Sequence, residues 1–320
     1  MRLVMMGTGP FAVPTLRELL VTHHTIAALV TGPVRNKPGK LVPATPMRDL
    51  AHAHGVRVFD PEDINAPSAR AELAAMDADL LVVCDYGQIL SAETLATARL
   101  GGINLHASLL PKYRGAAPIN WALYHGETET GVSVIHMTPE VDAGPVIAQG
   151  ATPIRPDETA VELEARLAEF GAWFVRRAID NLESGKLEAF PQNPALACKA
   201  PRLKKSDGLI DWTRPALAIR NQYRAMQPWP KTYTYWQPPK GPPLRLIVGP
   251  LVVEEGHGTA LPGTVLEAQK GRLVVAAGQE AVAIRGVHPS GKRAMSVEEF
   301  LRGYPVRPGD RFTAGAEPTS

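Results

Sequence analysis

The chain has 320 residues, 45% of them apolar and 21% charged, with a net charge of +2. This is the composition of a globular protein long enough for two domains. No apolar run approaches the ~18 residues of a membrane span, Met1–Met6 enters a strand pattern without a signal-peptide core, and two cysteines, Cys84 and Cys198, supply neither a disulfide framework nor a metal cluster, so a cytoplasmic chain is expected.

The first ~100 residues alternate apolar runs with helical patterns, the signature of a parallel sheet covered by helices. Strands are expected at Leu3–Met6, Ile26–Thr31, Leu80–Cys84 and Ile103–His106, and helices at Val13–Val21 and Met47–His54. Val132–Met137 and Val146–Gln149 read as a strand pair joined by the turn-rich Thr138–Pro145, and a long amphipathic helix capped by Asp157 runs to about Ser184 and stops at Gly185. Pro191, Pro194 and Pro201 mark a linker over 190–205. Beyond it come a helix at Ala216–Ala225 and short strands at Thr232–Trp236, Leu244–Val248, Gly263–Ala268, Arg272–Ala276 and Ala281–Val287. Their Gly/Pro-punctuated spacing predicts a small β-barrel over 206–320, after a first domain over 1–189.

Gly7-Thr8-Gly9-Pro10-Phe11-Ala12 follows a strand and opens a helix, as in dinucleotide-binding folds. That fingerprint also needs an acid ~20 residues on, whereas the second strand ends Val30-Thr31-Gly32-Pro33. Pro10 removes an amide that a pyrophosphate would use, and only Arg35 is left to argue for NADP. An NADP-dependent oxidoreductase is the remote alternative, and a turn lining another ligand is the preferred reading.

The chemistry concentrates in Ile103-Asn104-Leu105-His106 and the loop after it. Residues two apart on a strand share a face, so Asn104 and His106 project together while Leu105 points the other way. A carboxamide and an imidazole at the carboxyl end of a strand can both donate to a developing oxyanion. Asp142, in the turn Val141-Asp142-Ala143-Gly144-Pro145, is either a turn residue or the carboxylate that orients His106 and favours its protonated form.

INLHASLLPKYRGAAPINWAL followed by GETETGVSVIHMTPEVDAGPVIAQ resembles the signature of formyltransferases that use 10-formyltetrahydrofolate. The resemblance implies catalytic roles for Asn104, His106 and Asp142 and folate contacts at Ser108, Leu109, Leu110 and Pro111. It also implies a pterin-wrapping segment through Tyr86, Gly87, Ile89 and Leu90. Further motifs, Asp207–Trp212, Pro228–Pro230, Pro262–Leu266 and Pro289–Ser296, are similar to those of methionyl-tRNA formyltransferases, so nearly the whole chain is covered. The same resemblance implies an α/β, Rossmann-like N-terminal domain with a mostly parallel sheet, a C-terminal OB-like β-barrel, and a monomer that needs neither metal nor nucleotide. Gly7–Phe11 would line the acceptor pocket, where the family usually has an acid at the place of Pro10.

The acceptor rests on two features. Gly32–Pro46, with Arg35, Lys37 and Lys40, resembles the insertion with which methionyl-tRNA formyltransferases probe the acceptor stem. From Pro201 onward the chain carries 17 Lys+Arg against 10 Asp+Glu, a net of +7, beside −5 in the first 200 residues. A basic domain suits a polyanion. Charged initiator tRNA is therefore the expected partner, and an amino-sugar nucleotide is the alternative.

Overall fold

The computed structural model describes residues 1–35, 44–238, 240–256 and 258–315. Two units divide them. The first holds the described residues of Met1–Ile119, Thr128–Ile154 and Glu162–Pro201, and the second those of Asn120–Glu127, Arg155–Val161 and Arg202–Ser320.

In chain order the first unit begins β1 (Arg2–Met6), α1 (Val13–Leu20), β2 (Thr25–Val30), α2 (Pro46–Ala53), β3 (Val58–Phe59), α3 (Pro67–Ala74), β4 (Leu80–Val83), α4 (Ala92–Leu95) and β5 (Gly102–His106). After α5 (Pro118–His125) come β6 (Glu129–His136), β7 (Val146–Pro153) and α6 (Ala160–Glu183). The seven strands form one sheet in the order β3-β2-β1-β4-β5-β6-β7. β3 through β5 run parallel, and β6 and β7 are antiparallel. The runs Leu3–Met6 and Leu80–Val83 are buried throughout, as strands covered on both faces must be. β7 is an edge strand and alternates in exposure toward its end.

The α6 helix buries Leu163, Leu167, Val175 and Ile179. A Cβ on its Gly171 would lie 2.7 Å from Leu105, so glycine is what lets the helix approach β5. Gly185, at φ +67°, ends it. At the opposite end of the sheet from the site, His23, His24 and Glu183 bring ligand-type atoms within 4.8 Å of one another. The Met1 ammonium, donating to Glu183 at 2.7 Å, is the cation there. Among the described residues no helix is long and apolar enough to cross a membrane.

Of the linker expected over 190–205, residues 190–201 belong to the first unit and are hydrogen-bonded to the rest of it at both ends. Phe190 exchanges backbone bonds with Val146 at 2.8 and 2.9 Å, and Arg114 does so with Cys198 and Ala200 at 2.9 and 2.7 Å.

The second unit contains α7 (Ala216–Ala225), β8 (Tyr233–Trp236), β9 (Leu244–Val248), β10 (Leu251–Glu254), β11 (Val265–Gln269), β12 (Arg272–Ala276), β13 (Ala281–Ile284), β14 (Gly286–Pro289), β15 (Met295–Ser296), α8 (Val297–Gly303) and β16 (Phe312–Thr313). Its strands form two antiparallel sheets, β10-β13-β12-β11 and β15-β14-β9-β8-β16. Both close on one core that includes Trp236, Leu246, Val275, Phe300 and Phe312. The single run expected over Ala281–Val287 divides at Arg285, whose amide bonds to Pro250, and its halves lie in different sheets. Asn120 and Tyr124 belong to this unit as well. The Asn120 amide donates to the Ala225 carbonyl at 2.7 Å, and Arg214 donates to the Tyr124 hydroxyl at 2.6 Å.

Candidate active site

Asn104 and His106 stand at the carboxyl end of β5, in register with Ile135 and Ser133 of β6. Strand alternation puts both side chains on one face, and both meet Asp142. The Asn104 amide donates to Oδ1 at 3.3 Å, and His106 Nδ1 lies 3.5 Å from Oδ2. Leu105, between them, faces α6. The expected trio is thus brought together by a contact 38 residues apart in sequence.

His106 is buried, with its side chain 5% exposed. Its Nε2 lies 2.8 Å from the Tyr113 carbonyl. A carbonyl can only accept, so Nε2 carries a proton, and Nδ1 is the nitrogen turned toward Asp142. Acceptors flank the ring on both sides, and an imidazole protonated on both nitrogens satisfies them together. Tyr113 has φ +63° and Asp142 φ +50°, left-handed conformations that cost energy in non-glycine residues and cluster at functional sites.

The groups that hold Asp142 were not singled out from the sequence. The Gly115 amide donates to Oδ2 at 2.9 Å. Gly115 has φ +125°, and a Cβ there would lie 2.6 Å from the Ala200 carbonyl, so only glycine fits. The Gln192 side-chain amide donates to the carbonyls of Asp142 and Gly144 at 2.8 and 2.7 Å. Its own oxygen accepts two bonds from Arg114, at 3.0 and 2.7 Å. Gln192 therefore clamps the Asp142 turn to the loop after β5. It lies in a Pro-rich stretch that carries no sequence signal of such a role.

The loop Ser108–Pro111 is pinned to the sheet. Ser133 donates to the Ser108 carbonyl at 2.7 Å and accepts from the Leu110 amide at 3.0 Å, while Gln149 donates to the Leu110 carbonyl at 3.0 Å. Leu109 lies over Gly131, where a Cβ would come within 2.6 Å of it. Leu110 and Pro111 line a cavity of about 350 Å³ together with Ile147, Gln149, Phe190 and Gln192.

The segment after β4 divides in two. Tyr86 and Leu90 are buried, Leu90 within the core, whereas Gly87 is exposed and Ile89 is 66% exposed. The Tyr86 hydroxyl is buried with no hydrogen-bond partner among the described residues, and burial pushes its acid strength down. Gln88 and Asn65 brace the segment, Gln88 accepting from the Ile64 amide at 2.9 Å and Asn65 donating to the Ile89 carbonyl at 2.9 Å.

Of the three basic residues expected on tRNA, Arg35 is exposed and paired with Glu62 at 2.9 Å. Lys37 and Lys40 lie outside the described residues. The lookalike turn Gly7–Ala12 does not open directly into α1. A 3-10 turn, Pro10–Ala12, intervenes, and Gly7 packs so closely that a Cβ would lie 2.8 Å from the Cys84 carbonyl.

Comparison with known proteins adds to this geometry. The family model "Formyl transferase" matches residues 1–179, and "Formyl transferase, C-terminal domain" matches residues 202–305. The methionyl-tRNA formyltransferase of Rhodopirellula baltica is 44% identical over 98% of this chain and 97% of its own length. That of Geobacter sulfurreducens is 40% identical over 98% and 96%. Among solved structures, an N-formyltransferase from Helicobacter canadensis in complex with folinic acid and dTDP-3-aminofucose superposes with a TM-score of 0.66. It is 18% identical, over 92% of this chain and 99% of that one. HypX from Aquifex aeolicus in complex with tetrahydrofolic acid gives 0.61 at 18% identity, over 98% of this chain and 50% of its own. At such identities the likeness is one of fold.

Proposed function

The chain belongs to the methionyl-tRNA formyltransferase family, and from that premise we propose that it moves a formyl group from 10-formyltetrahydrofolate to the amino group of methionine on charged initiator tRNA. It acts in the cytoplasm as a monomer. The observation that carries the reading is the convergence of Asn104, His106 and the Gly115 amide on the Asp142 carboxylate at the carboxyl end of the sheet. Relatives about 40% identical over nearly their full length bear the tRNA name, and the neighbour in complex with an amino-sugar nucleotide shares 18%.

The folate supplies an activated formyl group, received between Ser108–Pro111 and the Tyr86–Leu90 segment. The acceptor nitrogen forms a bond to the formyl carbon as the bond from that carbon to N10 breaks. Negative charge builds on the formyl oxygen meanwhile, and the Asn104 amide, held only at 3.3 Å by Asp142, is the donor free to turn toward it. His106 adds positive charge beside it, its ring fixed through Nε2 by the Tyr113 carbonyl. Asp142 takes the proton that the amine gives up, directly or through a water, and N10 gains one as it leaves. Gln192 and Gly115 keep that carboxylate in place, and such positioning lowers the barrier without touching the reacting atoms.

Arg35, Lys37 and Lys40 engage the acceptor end, and the basic second unit holds the phosphate backbone. Transfer of labelled formyl to charged initiator tRNA, run beside an amino-sugar nucleotide, tests the reading. Transfer to the tRNA alone supports it, and transfer to the sugar alone replaces it. Affinity for the tRNA should also fall steeply with salt, because phosphate contacts release counterions. Neutralising the three basic residues together should raise KM for the tRNA and leave that for the folate unchanged.

A further inference from the structure

The sheet turns its connections around between β1 and β4. From β1 the chain goes to β2 on one side, and β4 flanks β1 on the other. Open α/β sheets bind ligands in the crevice beyond the carboxyl ends of strands at such a point. Two segments wall this crevice, the turn Gly7–Pro10 after β1 and Cys84–Gly87 after β4. They are stitched together. The Thr8 amide donates to the Asp85 carbonyl at 3.0 Å, and the Thr8 hydroxyl donates to the Tyr86 carbonyl at 3.3 Å while accepting from the Gly32 amide at 3.1 Å.

Into this crevice the fold places a carboxylate. Asp85 has φ +50°, a left-handed conformation that aspartate tolerates better than most residues. Its side chain lies over Gly9, where an added Cβ would come within 1.8 Å of Oδ2. A residue at Gly9 with any side chain would have to displace that carboxylate. Among the described residues the Asp85 carboxylate has no hydrogen-bond or ion-pair partner. By area it is open to solvent, yet it is ringed by enough protein that burial, reinforced by the charge of Glu164, pushes its acid up to about 6. A carboxylate open to solvent with no partner from the protein is free to take a ligand, and a cationic N–H donor makes the strongest hydrogen bond to it. Val83, two residues earlier, is in register with Asn104, so Asp85 stands one strand from the reactive amide.

We propose that Asp85 receives the acceptor's amino group, taking a charge-assisted hydrogen bond from it and holding the nitrogen beside Asn104 and His106. Asp85 is then a specificity-determining residue for a free primary amine, and Gly9 is the residue that makes room for it. The assignment rests on the formyl-transfer reading. No bond is made or broken by Asp85. It positions the nitrogen, and Asp142 handles the proton.

The test is steady-state kinetics of the full chain with charged initiator tRNA and formyl-folate. Asp85→Asn keeps the shape and the tolerance for positive φ while removing the charge. Gly9→Ala fits its backbone, at φ −85°, and displaces the carboxylate with a methyl group. Both variants should raise KM for charged tRNA about 10-fold or more, as expected for a lost charge-assisted bond, and leave KM for the folate within about twofold. The wild-type chain should also bind charged tRNA with a free amine more tightly than the N-acetylated form, and Asp85→Asn should lose that preference. An unchanged acceptor KM in Asp85→Asn, or a rise confined to the folate, overturns the assignment. A wild-type chain that formylates no charged tRNA overturns the parent reading before any variant is compared.

Discussion

Two aspartates in loops beyond the sheet share the same left-handed conformation, Asp142 in the turn between β6 and β7 and Asp85 just after β4, each at φ +50°. Their surroundings are opposite. Asp142 accepts from Asn104 and Gly115 and stands beside His106, and its backbone carbonyl is clamped by Gln192. Asp85 faces the glycine turn after β1 and has no partner among the described residues. Backbone strain alone therefore does not tell what a carboxylate is for. A carboxylate held by the protein is pre-organised and performs its role in place, whereas one open to solvent exchanges water for a partner when substrate arrives. The two can be separated by experiment, because damage at Asp142 should appear in turnover and damage at Asp85 in acceptor binding.

The largest effects belong to the satisfied side. Asn104→Ala and His106→Ala should each lower kcat by on the order of 10²-fold or more with the fold intact, the scale of a lost oxyanion donor. Single-turnover transfer reads this directly, and near-normal turnover in either variant would remove that residue from the mechanism. Asp142→Asn comes next, at roughly 10- to 100-fold in kcat with folate binding unchanged. The two carboxylate oxygens face the Asn104 and Gly115 donors and His106, and an amide has only one oxygen to offer, so one donor would meet another donor. If instead the variant's loss lay wholly in acceptor KM, the division of labour between the two aspartates would be wrong. Gln192→Ala should cost less, about 10-fold in kcat, since it frees the turn that carries Asp142 without touching the reacting atoms. An unchanged kcat there would show that Gly115 holds the carboxylate alone.

How far these roles could be read from the chain depends on the range of the contacts involved. Asn104 and His106 were legible because strand alternation is a local rule. The parallel sheet was legible from unbroken Val, Leu and Met runs, and α7 lies where a helix is expected, over Ala216–Ala225. Gln192 and Gly115 were not, because what they do depends on chain segments 50 and 27 residues away. Asp85 reads as a polar residue after a buried strand until the turn holding Gly9 is set against it. Short elements were hidden for local reasons. α3 (Pro67–Ala74) starts without a side-chain cap, and β10 (Leu251–Glu254) is only four residues long. α8 did carry a visible start, the Ser296–Glu299 capping box, whose first residue closes the motif stretch Pro289–Ser296. Lys37 and Lys40 lie outside the described residues, and Arg35 shows only an exposed ion pair with Glu62.

The smallest effect should be one on stability, at Asp85, and there it should be a gain. A carboxyl whose folded pKa lies above its unfolded value holds its proton more tightly in the folded state. Stability is then complete at low pH and is lost as the pH rises through the window between the two values. For Asp85 that window runs from 3.8 to about 6, and because the group is open to solvent, screening leaves the ionised form only slightly opposed to folding at pH 7. Asp85→Asn removes that opposition, and Asn tolerates the same backbone conformation. The variant should therefore melt with the wild type near pH 4 and slightly above it near pH 7. Glu164, itself raised by burial, titrates in both proteins and drops out of the difference except where it feels the charge of Asp85. Charged tRNA bearing a free amine should then narrow the gap at pH 7, because it stabilises the wild type more than the variant by mass action. A gap equal at both pH values, or a variant that melts lower at pH 7, would mean that Asp85 is already satisfied in the free protein. The contrast with Asp142 would then fail.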